Sequence, residues 1–219
     1  MARPYIKREV RKKQIVEAAL RLVAERGVGG ATLNRVAAGV GLTTPALYAH
    51  FQSRKELLME AMDTVFEKVR ELHRSARHPN ALERLREIGL AHTKFVSTEQ
   101  AFPLLFFEFI MAPPHEDLRE VLGSKELMLV EDLAEIAREG QRQGTIRAEV
   151  DPYQIAWMLV SRAWTEDVTR LMGLAEHWNE ERSKWMLDHI LEAIAAPDPS
   201  GEFGSPRLPR PGRRGPAPQ

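Results

Sequence analysis

Eleven residues, Gly41-Leu42-Thr43-Thr44-Pro45-Ala46-Leu47-Tyr48-Ala49-His50-Phe51, leave this chain little choice of fold. Gly41 breaks whatever helix precedes it. Thr43 is a good N-cap for the next one, and Pro45 falls in that helix's first turn, where a missing backbone N–H costs little. Upstream, Thr32 caps a segment in which Leu33, Val36, Ala37 and Val40 form one apolar face. The pattern is two short helices around a tight glycine turn. Helices this short are marginal alone, so Leu47 and Phe51 must pack into a core built with longer neighbours.

Those neighbours are legible on both sides. Ile15, Ala18, Ala19, Leu22 and Val23 recur at helical spacing from about Arg8 to Arg26, with Gly27 as the stop and Val28 to Ala31 as a turn. A fourth helix starts near Ser53 or Arg54 and carries Leu57, Leu58, Ala61, Met62, Val65, Phe66, Val69 and Leu72 on one face to about Arg74. A fifth runs from Asn80 to about Thr98 with Leu82, Leu85, Ile88, Gly89, His92 and Phe95 inward. Phe102 to Met111 is apolar nearly all round and should be buried. A long helix follows from about Pro114 to Gln143, with Gly123-Ser124 as the point where it can break, and Gly144 ends it. Asp151-Pro152-Tyr153-Gln154 is a strong start for a helix to about Met172, and the last helix is expected from Glu176 to Ala195. No segment alternates with period two, so the expected class is all-α, with about nine helices. The expected division is a three-helix unit over residues 1–52, a larger helical unit over 53–196, and a tail over 197–219. That tail holds seven of the 14 prolines and four of the 14 glycines, a composition that cannot bury a core.

The formal net charge is zero, with 31 basic and 31 acidic residues, but the charges are not evenly spread. Residues 1–55 carry 11 Lys+Arg against 3 Glu, residues 56–196 carry 16 against 26 acids, and the tail carries 4 against 2. A basic leading segment on an acidic body suits a polyanion for that segment alone. With no cysteine, disulfides, thiolate metal sites and cysteine nucleophiles are excluded. The seven histidines fall on separate elements without metal-ligand spacing, and there is no nucleophile elbow or phosphate loop. No catalytic residue, metal or cofactor is implied. The expected location is the cytoplasm, with no membrane association: the apolar run Ala101 to Ala112 is far short of the ~20 residues that span a bilayer, and no apolar stretch follows the first charges as in a signal peptide.

Two short helices with a glycine turn and a long helix before them form a helix-turn-helix arrangement. Thr32-Leu33-Asn34-Arg35-Val36-Ala37, then Gly41 to Phe51, then Arg54-Lys55-Glu56-Leu57-Leu58, resembles the DNA-binding signature of the TetR (tetracycline repressor) family over roughly residues 9–60. It departs at Val40, where alanine is usual, and at Arg54, where lysine is usual. On this resemblance Thr43, Thr44, Pro45 and Ala46 enter the major groove, with methyl and ring carbons able to pack on a thymine methyl. Tyr48, His50, Arg54 and Lys55 hold phosphates, and Thr32, Asn34 and Arg35 contact backbone or adjacent bases from the helix before. The partner is a double-stranded DNA operator.

The resemblance also implies a homodimer through the last two helices, where Trp157, Val160, Trp164, Val168 and Leu171 recur on one and Trp178, Trp185, Ile190, Ala193 and Ile194 on the other. It further implies a small-molecule effector in the body. Four of the eight phenylalanines lie in Phe102 to Phe109, and Phe102, Phe106 and Phe109, with Phe95, His92, Met128, Met158 and Arg162, are the expected lining of a pocket for an apolar or acyl-type ligand. A filled core is the other reading of each of these residues. The leading expectation is a dimeric, ligand-responsive repressor; the alternative is an architectural DNA-binding factor with no inducer.

Overall fold

The structure is a computed structural model that describes residues 8–99, 101–113 and 117–197. Among these residues it holds nine helices: α1 (Arg8–Gly30), α2 (Leu33–Gly39), α3 (Thr44–Tyr48), α4 (Arg54–Ser75), α5 (Ala81–Thr98), α6 (Ala101–Ile110), α7 (Leu118–Gln143), α8 (Pro152–Leu171) and α9 (Glu180–Ile194). One isolated antiparallel bridge, Ile146 to Ala195, ties the α7–α8 connection to the end of α9. Among the described residues no helix is long and apolar enough to cross a membrane.

The helix starts follow the side chains able to satisfy orphan backbone N–H groups. Thr32, Thr43, Ser53, Asn80, Asp151 and Asn179 each sit in extended backbone and accept from an N–H two or three residues on. Gly144, in the left-handed region at φ 70°, closes α7.

Three boundaries differ from the sequence reading. Helix α1 does not end at Gly27 but kinks there, at φ 70° and ψ 171°, and winds on to Gly30. Only glycine adopts that backbone freely, and a Cβ at this position would also lie 2.9 Å from Glu108 Oε2. Helix α7 runs through Gly123-Ser124 without a break, because Leu118, Leu122, Leu129 and Leu133 bury one continuous face across them. Helix α9 starts at Glu180, not Glu176, because the Asn179 side chain caps it. The expectations for Pro114 and for residues 198–219 lie outside the described residues.

Two apolar clusters form the interior. One joins α1, α2, Leu47 and Phe51 to the first half of α4, to α6 and to the start of α7. The other joins α5, the second half of α7, α8 and α9. The first cluster runs straight across residue 52: Phe51, Leu57 and Leu58 are fully buried in it together with Ile15 and Ala19. At roughly 25 cal/mol per Å² of apolar surface, this shared burial makes α4 and α6 part of what holds the short helices in place.

Candidate nucleic-acid interface and body cavity

The short helices meet through the turn set by Gly41 (φ 65°), with Leu42 N–H donating to Ala37 O at 2.8 Å. Leu47 on α3 and Val36 on α2 are fully buried, so the opposite faces of both helices are turned outward. There Thr43, Pro45 and Tyr48 are exposed, Thr44, Ala46 and His50 half-buried, and Asn34 and Arg35 exposed beside them. The Thr44 hydroxyl donates to Asn34 Oδ1 at 2.8 Å, which fixes α2 against α3 on the outer surface. Tyr48 is 52% exposed.

The cations expected to meet phosphate are placed less uniformly. Arg54 Nε donates to Ala31 O at 3.0 Å, and its other arm to Val28 O, so the guanidinium clamps the α1–α2 connection. Arg35 Nη1 donates to Gly30 O at 3.1 Å in the same connection. Lys55 pairs with Asp117 at 2.6 Å, at the start of α7. The His50 ring sits below its ordinary pKa, first through burial and then through Arg8 and Arg11. Those two arginines on the first turns of α1 therefore stand beside the recognition helix. The sequence reading left them out; the only signal was their place in the basic leading segment.

In the body, α4, α5, α6, α7 and α8 enclose a cavity of about 70 Å³. It is lined mainly by apolar carbons from Phe66, Leu85, Phe102, Phe106, Leu129, Leu133 and Leu159, with Trp164 at one side. Of the eight residues expected there, His92, Phe102, Phe106 and Arg162 line it. The other four do not. Phe109 is fully buried in the first apolar cluster, one helical turn beyond Phe106 and under α1. Phe95 lies behind Phe102, edge-on to it at 5.0 Å. Met128 and Met158 are 48% and 37% exposed, since their neighbours Leu129 and Leu159 take the inward positions on α7 and α8. The sequence reading missed His73, Glu126 and Asp167, polar residues that periodicity alone places on no particular side of their helices.

The polar wall of the cavity is built around Arg162. Arg162, 1% exposed, donates to Glu166 Oε1 at 2.5 Å, Ser183 Oγ at 2.7 Å, Thr93 Oγ1 at 3.1 Å and Gly89 O at 2.9 Å. His92 Nδ1 sits 2.8 Å from the second Glu166 oxygen. Burial alone would raise the Glu166 carboxyl, but the His92 hydrogen bond and the Arg162 charge outweigh it and hold it below its usual range. Arg162 is thus a buried cation whose two terminal nitrogens are committed to these four acceptors, while its Nε has no hydrogen-bond partner. The sequence reading offered it as an anchor for a ligand carboxylate or phosphate, and its committed hydrogen bonds argue against that role.

On the outer side of α8, Tyr153, Trp157, Met158, Trp164, Val168 and Leu171 are all at least one-third exposed, and Trp157 packs edge-on to Trp164 at 6.1 Å. Val160, Ile190 and Ile194, expected on the same subunit-facing stripe, are instead buried in the second apolar cluster. Trp178 falls in the turn before α9.

Comparison with known proteins agrees with this arrangement. Residues 15–61, from α1 into α4, match the profile of bacterial regulatory proteins of the tetR family. The transcriptional regulator PksA of Bacillus subtilis is 45% identical over 64 residues, which is 29% of this chain and 31% of PksA. The transcriptional repressor KstR2 of Mycobacterium tuberculosis is 23% identical over 153 residues, 64% of this chain and 72% of that protein. The structure of AibR in complex with isovaleryl coenzyme A and operator DNA superposes with a TM-score of 0.60, at 22% identity, over 86% of this chain and 100% of AibR. The helix-turn-helix over α2 and α3, supported by α1 and α4, is the DNA-binding domain of the tetR family over residues 15–61, and the all-helical body behind it shares the fold of solved TetR-family regulators.

Proposed function

We propose that the protein is a homodimeric repressor whose operator binding is released by a small molecule held in the body cavity. The observation that carries this reading is the course of α6. At its start Phe102 and Phe106 form a wall of the cavity. Further along the same helix, Glu108 Oε2 accepts from Val28 N–H at 3.0 Å, immediately after the Gly27 kink of α1. A ligand that displaces Phe102 or Phe106 moves the residue that holds the kink, and the kinked segment leads through Arg54 and Arg35 into α2. AibR, which has the same fold, forms a complex with isovaleryl coenzyme A and operator DNA, and that supports a small-molecule effector for this chain. Linkage requires that such a ligand bind the released arrangement better than the DNA-bound one.

The exposed aromatic face of α8 supports a homodimer there, with exposed parts of α9 such as Ala193 beside it. On the DNA side, we infer that Thr43, Thr44, Pro45 and Ala46 read bases, with Tyr48, His50, Lys55, Arg8 and Arg11 holding phosphates. Thr32 caps α2 and brings that helix's start toward the backbone. Arg35 and Arg54 act mainly by fixing the α1–α2 connection. The division at residue 52 is functional, separating the reading helices from the body that controls them. The site of action is the cytoplasm, where the operator lies.

The test begins with an operator obtained by selecting bound duplexes from a random pool. Affinity for it is then measured by fluorescence anisotropy, with and without small molecules that raise the thermal midpoint of the protein. A stabilising ligand that weakens operator binding supports the proposal, and one that leaves it unchanged removes the release mechanism. Failure to enrich any sequence would favour an architectural factor instead.

A further inference from the structure

The charges around the cavity do not balance, and the imbalance bears on what it can hold. Arg162 is neutralised by Glu166, whose second oxygen meets His92. Two more carboxyls face the same space. Asp167 on α8 is 3% exposed, lines the cavity, and its Oδ1 has no hydrogen-bond partner. Glu126 on α7 lines the cavity from the other side and is hydrogen-bonded to the Trp164 side chain. An unpartnered carboxylate oxygen at that depth costs free energy unless something supplies a hydrogen or a charge. Arg162 and Arg170 on its own helix lower its cost by charge but give Oδ1 no hydrogen bond, and the facing walls bring no cation: α6 contributes the rings of Phe102 and Phe106, and α4 contributes Phe66 and His73. His73 is itself pushed down to about 4, by burial first and by His92 and Arg70 next, so it stands uncharged at neutral pH.

We propose that the effector is a small aromatic or lipophilic amine, whose ammonium group sits against Asp167 and Glu126 and whose apolar part lies among Phe102, Phe106 and Trp164. The inference rests on the cavity being the effector site and narrows the ligand from apolar or acyl to cationic. Three physical terms favour it together. The ammonium gives Asp167 Oδ1 the donor it lacks. The ring faces attract a cation in a desolvated site. A carboxylate or phosphate ligand would meet two acids, and the cation lining the cavity, Arg162, already gives its terminal nitrogens to Glu166, Ser183, Thr93 and Gly89. The cavity of about 70 Å³ is smaller than the ~150 Å³ that holds a benzene ring, so an aromatic amine enters only by displacing a wall residue such as Phe102 or Phe106, which is the movement the release mechanism requires.

Burial, the largest cause, raises the Asp167 carboxyl to about 7. Around it stand His92 from α5, Glu126 from α7, His73 from α4, and Arg162, Glu166 and Arg170 on its own helix. An ammonium ion prefers the ionised carboxylate, so amine binding should weaken as pH falls from 8 to 6, while the amine itself stays charged.

The experiment compares benzylamine, benzyl alcohol and phenylacetate, matched in size and differing in charge, by calorimetry and by tryptophan fluorescence on the full-length chain. Benzylamine is expected to bind tightest. Asp167→Asn should weaken it by roughly tenfold, remove most of its pH dependence, and leave benzyl alcohol nearly unchanged. Glu126→Gln is a second arm with the same expected direction. Equal or tighter binding of phenylacetate or benzyl alcohol overturns the cationic assignment and leaves the cavity as an effector site. Absence of binding by all three overturns the cationic assignment and the cavity reading together. If benzylamine binds at Asp167 but the selected operator is not released, the ligand class stands and the release mechanism alone fails.

Discussion

Arg54 and Tyr48 belong to the same signature but have different physical surroundings. Arg54 donates to two backbone carbonyls of the α1–α2 connection, while Tyr48 is 52% exposed. Tyr48→Phe should therefore weaken operator binding with little change in thermal midpoint. Arg54→Ala should lower the midpoint too, through a loss of about 1–3 kcal/mol of stability as the Ala31 and Val28 carbonyls lose its guanidinium. Melting both variants beside a binding titration checks this, and an Arg54→Ala protein as stable as the parent would return Arg54 to a purely phosphate-binding role. Asp167 gives a second test at this scale, independent of any ligand. Its carboxyl, ordinarily near 3.8, is raised to about 7 by burial. Between those values the folded chain holds a proton that the unfolded chain has lost, so this group's contribution makes stability fall as pH rises from about 4 to about 7. Asp167→Asn removes that penalty. The variant should be more stable than the parent at pH 8, by at most about 4 kcal/mol, with the gain fading toward pH 4. A gain that does not vary with pH would show that desolvation of the charged form is not its cause.

At the scale of elements, what the sequence made legible was whatever is decided locally. Thr32, Thr43, Asn80 and Asp151 cap helices where their side chains said they would, because capping needs only a backbone N–H two or three residues away. The placement of α6 was not legible. A run that is apolar all round, as Phe102 to Phe109 is, has no preferred face, so periodicity cannot say which rings fill core and which line space. Phe109 went to the core under α1 and Phe106 to the cavity, one turn apart, and only packing decided it. The same gap hid Asp167 and Glu126, since a polar residue on a helix is ordinarily read as solvated. Helix α6 now carries its own prediction. Glu108→Gln replaces a charged acceptor of Val28 N–H by a neutral one of the same size, weakening the tie to the Gly27 kink. We expect operator affinity without ligand to change by less than about threefold, since the contact is not at the DNA surface, and the ligand-induced loss of affinity to shrink. Titrating operator with and without a stabilising ligand measures both, and undiminished release would place the coupling elsewhere, with α4 the next candidate.

Across the whole molecule, the limiting fact is the shortness of α3. Five residues, of which Leu47 is fully buried, leave few side chains for bases. One such helix reads little sequence, and phosphate contacts add affinity without specificity. A second recognition helix one duplex turn away, ~34 Å, multiplies both, provided a rigid interface sets the spacing. The acidic body helps by keeping only the basic end of each subunit near DNA. The exposed aromatic face of α8 is the surface best suited to that interface, and it lies directly outside the cavity: Trp164 lines the cavity and is also 38% exposed on that face. A ligand beside Trp164 would then act on subunit spacing as well as on α6. Trp157, 38% exposed and packed edge-on to Trp164, is the place to test the interface without breaching the core. Trp157→Glu puts a charge in the centre of the apolar stripe, so the chain should still fold but sediment as a monomer. Its affinity for a two-half-site operator should fall by about 100-fold or more as the second contact becomes bimolecular. Its affinity for a single half-site should stay close to that of the parent. A variant that remains dimeric by sedimentation would move the interface off this face, and a monomer that keeps full operator affinity would mean that one short recognition helix, with Arg8 and Arg11 beside it, is enough.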